Sequence, residues 1–234
     1  MHASDTPTKA ADTAVLTIRQ LPAGQGMAWL AAGWSCFKRR WQPLAVLSIG
    51  MLMILWLFGR KGTFLFPVLA TLYLGTVAAY SRMDRQGEPF LAGSGAWRNG
   101  SLWVLAIAVA LMSLAQAAIV GAVAAGGIMA GMYSAAHFGK GLFYAFAAVQ
   151  LLVLLVFSTL WMAPALVVER RAGVLQALRL SVVGSLLNPL PFLTVALLGS
   201  LMLLAAMLPL GLGLVVAMPV LACAAAKAAG DIVI

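Results

Sequence analysis

Long apolar runs that lack ionisable residues constrain this chain more than any other feature of its sequence. The longest extends from residue 189 to residue 226 and contains no Asp, Glu, Lys, Arg or His. A helix needs about 20 apolar residues to cross a hydrocarbon core of about 30 Å, so a run of this length fits a bilayer. Apolar residues make up 63% of the chain and charged residues 9%, whereas about a quarter of the residues of soluble domains are charged. The sequence therefore predicts an all-α membrane protein.

The breaks between apolar runs predict six transmembrane helices. Gly59 and Gly62 mark a tight turn between the first two runs, and the segment 209–213 divides the last run in two. Residues 21–234 are predicted to form a single integral membrane domain, and the polar residues 1–20 a disordered cytoplasmic tail. The predicted spans are approximately 42–58, 63–80, 102–131, 141–168, 189–207 and 210–227.

A short amphipathic segment precedes each pair of spans. In the first, Leu30, Trp34, Phe37 and Trp41 recur at helical spacing, which is typical of a helix lying in the membrane interface. The alternative is an ordinary helix packed under the bundle. The segment 173–189 repeats this pattern, and 87–103 resembles it loosely. We therefore predict three tandem units, each an in-plane amphipathic helix followed by a helical hairpin of two spans.

The distribution of basic residues predicts the orientation. Of the 15 Lys and Arg residues, only Arg60, Lys61 and Lys140 fall on the side opposite the N-terminus in the six-span arrangement. Because loops rich in Lys and Arg stay in the cytoplasm, both termini are predicted to be cytoplasmic.

The net charge of +9 predicts membrane lipids, anionic ones above all, as the partner. The basic residues flank apolar runs and do not form a patch with interleaved aromatic residues, so no nucleic-acid binding is expected. Predicted lipid head-group contacts are Lys38, Arg39, Arg40, Arg170, Arg171 and Arg179. Predicted interfacial anchors are Trp29, Trp34, Phe37, Trp41 and Trp97.

The segment from Arg19 to Phe37, RQLPAGQGMAWLAAGWSCF, carries the most specific pattern in the chain. Shorter matches follow at 87–89, 163–167, 177–181, 188–192 and 231–232. Together they resemble a family of proteobacterial inner-membrane proteins with six predicted spans, an opening motif RQLPAGxGxxWLxxGWxxF and no assigned function. The resemblance covers most of the chain from Arg19 onward. It implies the six-span fold and a location in the bacterial inner (cytoplasmic) membrane, and it implies no activity.

Groups that could carry chemistry are few. The two histidines, His2 and His137, have no neighbouring acid, which argues against most metal sites and catalytic triads. In the predicted topology neither Cys36 nor Cys223 meets an oxidising compartment, so no disulfide is expected. We therefore predict no catalytic residues, no cofactor and no metal site, and conclude that the chain is not an enzyme.

The most polar groups predicted inside the spans are Gln116 and Gln150. Amides in membrane helices commonly hydrogen-bond across helices, so these two are interpreted as packing residues. Gly127 and Gly131 form a small-xxx-small pattern, which permits close approach of a second helix from this protein or from a partner.

Two functions fit a membrane protein with so little chemistry. The first is a non-enzymatic accessory, assembly or scaffold subunit of a membrane protein complex. The second is a lipid-binding or lipid-translocating protein that uses its cytoplasmic basic in-plane helices. The absence of ionisable residues within the predicted spans argues against a coupled transporter or a channel.

Overall fold

The computed structural model describes residues 17–58, 62–86, 95–131 and 160–234. Within these ranges the chain is helical, as the sequence predicts. The eight helices are α1 (Gln25–Arg39), α2 (Trp41–Phe58), α3 (Gly62–Gln86), α4 (Gly100–Gly131), α5 (Ala163–Glu169), α6 (Val174–Leu187), α7 (Pro189–Met207) and α8 (Leu214–Ile232).

Four helices of the described part are long and apolar enough to cross a membrane: α2, α4 over Gly100–Ile119, α7 and α8. The helices expected at 42–58, 102–131 and 189–207 are therefore present. The predicted span 63–80 lies within α3, which is helical but is not among the four. Most of the predicted span 141–168 lies outside the described residues. The last predicted span, 210–227, is displaced: α8 begins at Leu214 and continues through Lys227 to Ile232.

Helix α8 forms the centre of the bundle. Its membrane-length segment is 61% buried, compared with 17% for α2, 17% for α4 and 22% for α7. Helices α1, α2, α3 and α7 all pack against it. Helix α8 is rich in alanine, and these small side chains allow the neighbouring helices to approach it closely. Its buried alanines are Ala217, Ala222, Ala224, Ala225, Ala226, Ala228 and Ala229.

Helix α1 runs antiparallel along α8, with Trp29 beside Asp231 and Cys36 beside Cys223. The side chain of Trp29 is fully buried, and that of Phe37 is 8% exposed. The prediction that these two residues are interfacial anchors is therefore wrong, because α8 covers the side of α1 on which they lie. The geometry favours the alternative of a helix packed against the bundle.

The two ends of the described chain pair with each other. The Thr17 N–H donates to the Ile234 carbonyl, and the Arg19 N–H donates to the Ile232 carbonyl. Ile18 and Val233 thereby form an antiparallel bridge. Residues 17–20 are therefore ordered by backbone pairing, which corrects the predicted tail at its C-terminal end. Residues 1–16 lie outside the described residues.

The junction between α6 and α7 holds the N-terminal segment in place through one buried side chain. The Asn188 Oδ1 accepts a hydrogen bond from the Leu21 N–H at 2.7 Å. Its Nδ2 donates to the carbonyls of Arg19 at 3.1 Å and Gly184 at 2.9 Å. The side chain of Asn188 is 2% exposed, so its own amide atoms are removed from water. The beginning of the opening motif is thus attached to the junction that the sequence marks by Asn188 and Pro189.

A second group of polar side chains lies where α1, α2, α3 and α8 meet. The hydroxyls of Ser48 and Tyr73 are 2.7 Å apart, and the sulfur atoms of Cys36 and Cys223 are 2.8 Å apart. The surrounding side chains are apolar, including Leu44, Met51, Val77 and Val220. Each of these polar groups therefore has a partner within the bundle, as buried polar groups require.

Candidate functional site

Charged side chains from α3, α5 and α8 converge at the ends of these helices. Arg82 lies near the end of α3, Glu169 ends α5, and Arg170 and Arg171 follow α5 directly. Lys227 and Asp231 lie on the last turns of α8. The N-terminal half of α1 packs against the same end of α8. We refer to the six charged residues as the helix-end cluster: Arg82, Glu169, Arg170, Arg171, Lys227 and Asp231.

Asp231 connects the C-terminal end of α8 to α1. Its Oδ2 accepts hydrogen bonds from the Trp29 indole N–H at 3.0 Å and from the Gln25 amide at 3.2 Å, and its Oδ1 forms an ion pair with Lys227. The fully buried Trp29 has its only polar group satisfied in this way, as is usual for buried tryptophan. Asp231 therefore holds α1 on α8, a structural role.

Arg170 closes the C-terminal end of α8. Its guanidinium donates to the carbonyl of Gly230 at 3.2 Å and to the carbonyl of Val233. The last carbonyls of a helix have no partner within the helix, and a cation there also interacts favourably with the negative end of the helix dipole. This guanidinium is therefore occupied by the protein, although the sequence predicts it as a lipid contact.

A cavity of about 430 Å³ opens beside the cluster, between the end of α3, the start of α4 and the segment after α5. Its polar lining consists of Arg82, Asn99, Ser101 and Arg171, and no acidic residue is among its described lining residues. We refer to it as the arginine cavity. Its apolar walls are Ala79, Met83, Ala96, Val167, Val168 and Ala172.

Arg82 lies between the arginine cavity and a second cavity of about 310 Å³ lined by both acidic and basic groups. Its Nη1 donates to the Val168 carbonyl at 3.4 Å, whereas its buried Nε–H has no hydrogen-bond partner. An unsatisfied buried donor costs roughly 1–3 kcal/mol. On the side of the second cavity, Glu169 accepts a hydrogen bond from the Ser81 hydroxyl at 3.2 Å.

The predicted basic contacts do not form one surface. Lys38, Arg39 and Arg40 are exposed at the end of α1, where the Lys38 Nζ lies 5.5 Å from the centroid of the Trp34 ring. Arg171 lines the arginine cavity. Arg179 is exposed on α6, apart from both. Only Arg170 and Arg171 are therefore brought to the helix-end cluster.

The predicted anchors and packing residues also lie in different environments. Trp34, Trp41 and Trp97 are 44%, 56% and 45% exposed, which is compatible with an interfacial position. The side chain of Gln116 is half-buried on α4. Gly127 and Gly131 lie in the last turns of α4 without described surroundings, and Gln150 lies outside the described residues.

Sequence reasoning missed Arg82 and the role of Asn188. The available signal for Arg82 was its position as the first basic residue after a long apolar run. The available signal for Asn188 was the proline that follows it, because an Asn-Pro pair favours a turn. Among the described residues, no group of three or more His, Cys, Asp or Glu side chains could hold a metal ion.

Comparison with known proteins finds no family model, no curated protein and no solved structure that matches this chain.

Proposed function

We propose that the chain is a non-enzymatic integral membrane protein that serves as an accessory, assembly or scaffold subunit of a membrane protein complex. The observation that carries the proposal is the leucine face of α7, formed by Leu190, Leu193, Leu197, Leu201 and Leu204. Each of these side chains is between 54% and 68% exposed. A continuous stripe at helical spacing is suited to packing against a second apolar helix.

The proposed architecture has six spans in three hairpins, each preceded by a short amphipathic helix, in the bacterial inner membrane with both termini in the cytoplasm. The bridge between Ile18 and Val233 supports an even number of spans, because it holds the two ends of the described chain at the same end of the bundle. The exposed aromatic and basic residues from Trp34 to Trp41 support an interfacial position for the end of α1. The resemblance of the opening motif to the six-span family is part of the same proposal.

Cysteine labelling tests this topology. In a chain whose Cys36 and Cys223 are replaced by alanine, a His137→Cys variant is expected to react with a membrane-impermeant maleimide in intact cells. A His2→Cys variant in the same background is expected to react only after the membrane is permeabilised. Labelling of position 137 only after permeabilisation would contradict the six-span arrangement.

Extraction in polymer nanodiscs followed by mass spectrometry tests the accessory function. We expect a protein partner at fixed stoichiometry. Replacing Leu197, Leu201 and Leu204 by alanine is expected to reduce recovery of that partner about tenfold, whereas alanine at the exposed Val46, Met53 and Leu57 of α2 is not, because only the first set interrupts the leucine face. Equal recovery with both variants, or no stoichiometric partner at all, would contradict the proposal.

A second candidate function is lipid binding or translocation by the cytoplasmic basic in-plane helices. It is favoured by the exposed run Lys38, Arg39 and Arg40, which lies between the exposed Trp34 and Trp41. Basic side chains near an anionic surface contribute about 1 kcal/mol each. The same nanodisc experiment separates the two candidates, because enrichment of one anionic lipid without a protein partner favours the second.

A further inference from the structure

We propose that the arginine cavity binds a phosphate group, carried by a phospholipid head group or present as free phosphate. This inference deepens the lipid-binding candidate, but it places the ligand in the helix-end cluster and not on the exposed run at residues 38–40. It does not depend on the accessory function.

The charge of the cavity is the first reason. Arg82 and Arg171 reach it from two different helix ends, and no described lining residue is acidic. Their guanidinium groups provide planar pairs of donors that match phosphate oxygens. Arg82 has a buried Nε–H with no partner, so one donor at this site is already removed from water and has no acceptor. A phosphate oxygen is an acceptor of the required charge.

The start of α4 provides the second reason. Asn99 and Ser101 line the cavity at the start of α4. The positive end of the helix dipole favours an anion there, whereas the Ser101 N–H itself is occupied by a 3.0 Å hydrogen bond to the Asn99 Oδ1. The Ser101 hydroxyl adds a further donor. The two arginines and the helix start therefore act on the same volume.

Arg171 has a φ of 52°, a left-handed conformation that an arginine rarely adopts. It follows the C-terminus of α5, where the Ala172 N–H donates to the Leu166 carbonyl, so this backbone conformation ends the helix. Glycine or asparagine would relieve the strain at this position.

The surroundings favour a lipid as the source of the phosphate. Trp97 and Trp103 are close in sequence to the lining residues Ala96 and Ser101; their ring centroids are 6.4 Å apart, and both are about half exposed. Along α4, Val104, Ile107 and Leu111 continue as an exposed apolar track from the cavity. A head group in the cavity would therefore place its acyl chains against this track, with tryptophan at the level of the interface.

Binding to the full-length protein in a neutral detergent tests the proposal. The probes are dioctanoyl-phosphatidylglycerol, dioctanoylglycerol, which lacks the phosphate, and inorganic phosphate. We expect saturable thermal stabilisation by the phosphatidylglycerol and competition with it by inorganic phosphate. Dioctanoylglycerol is expected to give no stabilisation. Tighter binding of the lipid than of inorganic phosphate identifies a head group as the source, and equal affinity identifies free phosphate.

Two arginine variants keep the test independent of folding. Arg171→Asn removes the charge while relieving the backbone, so it should fold at least as well as the parent and bind about tenfold more weakly or worse, as expected for loss of a charge-assisted hydrogen bond. Arg82→Gln is expected to have a similar effect. Arg179→Gln removes one charge from α6 and should change affinity less than about twofold, since Arg179 does not line the arginine cavity. Equal binding of dioctanoylglycerol, unchanged affinity in Arg171→Asn, or equal weakening in Arg179→Gln would overturn the proposal. Failure to find a protein partner in nanodiscs would contradict the accessory function but would leave this proposal intact.

Discussion

Replacing Gly33 by valine is expected to separate α1 from α8 and to prevent stable folding. A Cβ atom at this position would lie 2.3 Å from the Val220 carbonyl oxygen, 3.1 Å from the Ala224 nitrogen and 3.2 Å from the Ala224 Cβ. The first two atoms belong to the backbone of α8, so no side-chain rotation relieves the overlap. Overpacking of a well-packed core costs about 1–3 kcal/mol and occasionally more. We expect Gly33→Ala to fall in that range and Gly33→Val to exceed it, measured as the loss of the thermal unfolding transition in detergent.

Gly50 provides the matched control. It also lies within a helix, but no atom lies within 4 Å of a Cβ built there. Gly50→Ala should therefore leave stability unchanged or raise it by about 0.5–1 kcal/mol, because alanine loses less backbone entropy than glycine in a helix. If Gly33→Val melted at the same temperature as the parent protein, the close packing of α1 on α8 would be wrong.

Replacing Asn188 by alanine is expected to release the N-terminal segment from the bundle. The substitution removes three hydrogen bonds and leaves the Leu21 N–H and two carbonyls without partners. Each buried unsatisfied group costs about 1–3 kcal/mol, so a combined loss of about 2–4 kcal/mol is expected after partial relaxation. Limited digestion with trypsin measures the release directly, because the peptide bond after Arg19 becomes accessible.

Two further variants make this test specific. Ser200→Ala removes an exposed hydroxyl that bonds only to the carbonyl of Ala196 in its own helix, so it should change stability by less than about 0.5 kcal/mol. Asn188→Asp keeps an acceptor for the Leu21 N–H but loses the amide donors, so it should not rescue the variant. Unchanged cleavage after Arg19 in Asn188→Ala would show that another contact holds the segment.

The contacts of the opening segment, residues 19–37, have a physical explanation in the structure. Trp29, in the opening motif, donates to Asp231 near the C-terminus, and the backbone at Arg19 and Leu21 is bonded by Asn188. Residues that are about 170–200 positions apart in sequence thus form one connected unit. The opening segment therefore contributes to the folding of the bundle.

The extents of the membrane-length helices could be predicted from the sequence. A span must contain a long apolar run, and its backbone groups must bond within the helix because the bilayer supplies no partners. This local rule places α2 and α7 to within a residue and locates the break at 209–213. It fails at the end of α8, where Lys227 reads as the end of a span but stays helical with an ion pair to Asp231 on the next turn.

Burial could not be predicted in this way. Trp29 and Trp34 both belong to the same amphipathic segment, yet the first is fully buried and the second is 44% exposed. Lipid tails and protein side chains are similarly apolar, so the period of the sequence identifies an apolar side without telling which of the two covers it. The same limitation hid the different environments of Arg170 and Arg171.

The sequence by itself determined the all-helical class of the protein, the positions of α2 and α7 and the scarcity of groups that could carry chemistry, because each depends on residue type within a short window. Only the tertiary structure decided that α8 is central, that residues 17–19 pair with residues 232–234 and that Arg82 and Arg171 share a cavity. These features depend on contacts between distant segments, and their free energy comes from packing and hydrogen bonds that no local pattern specifies.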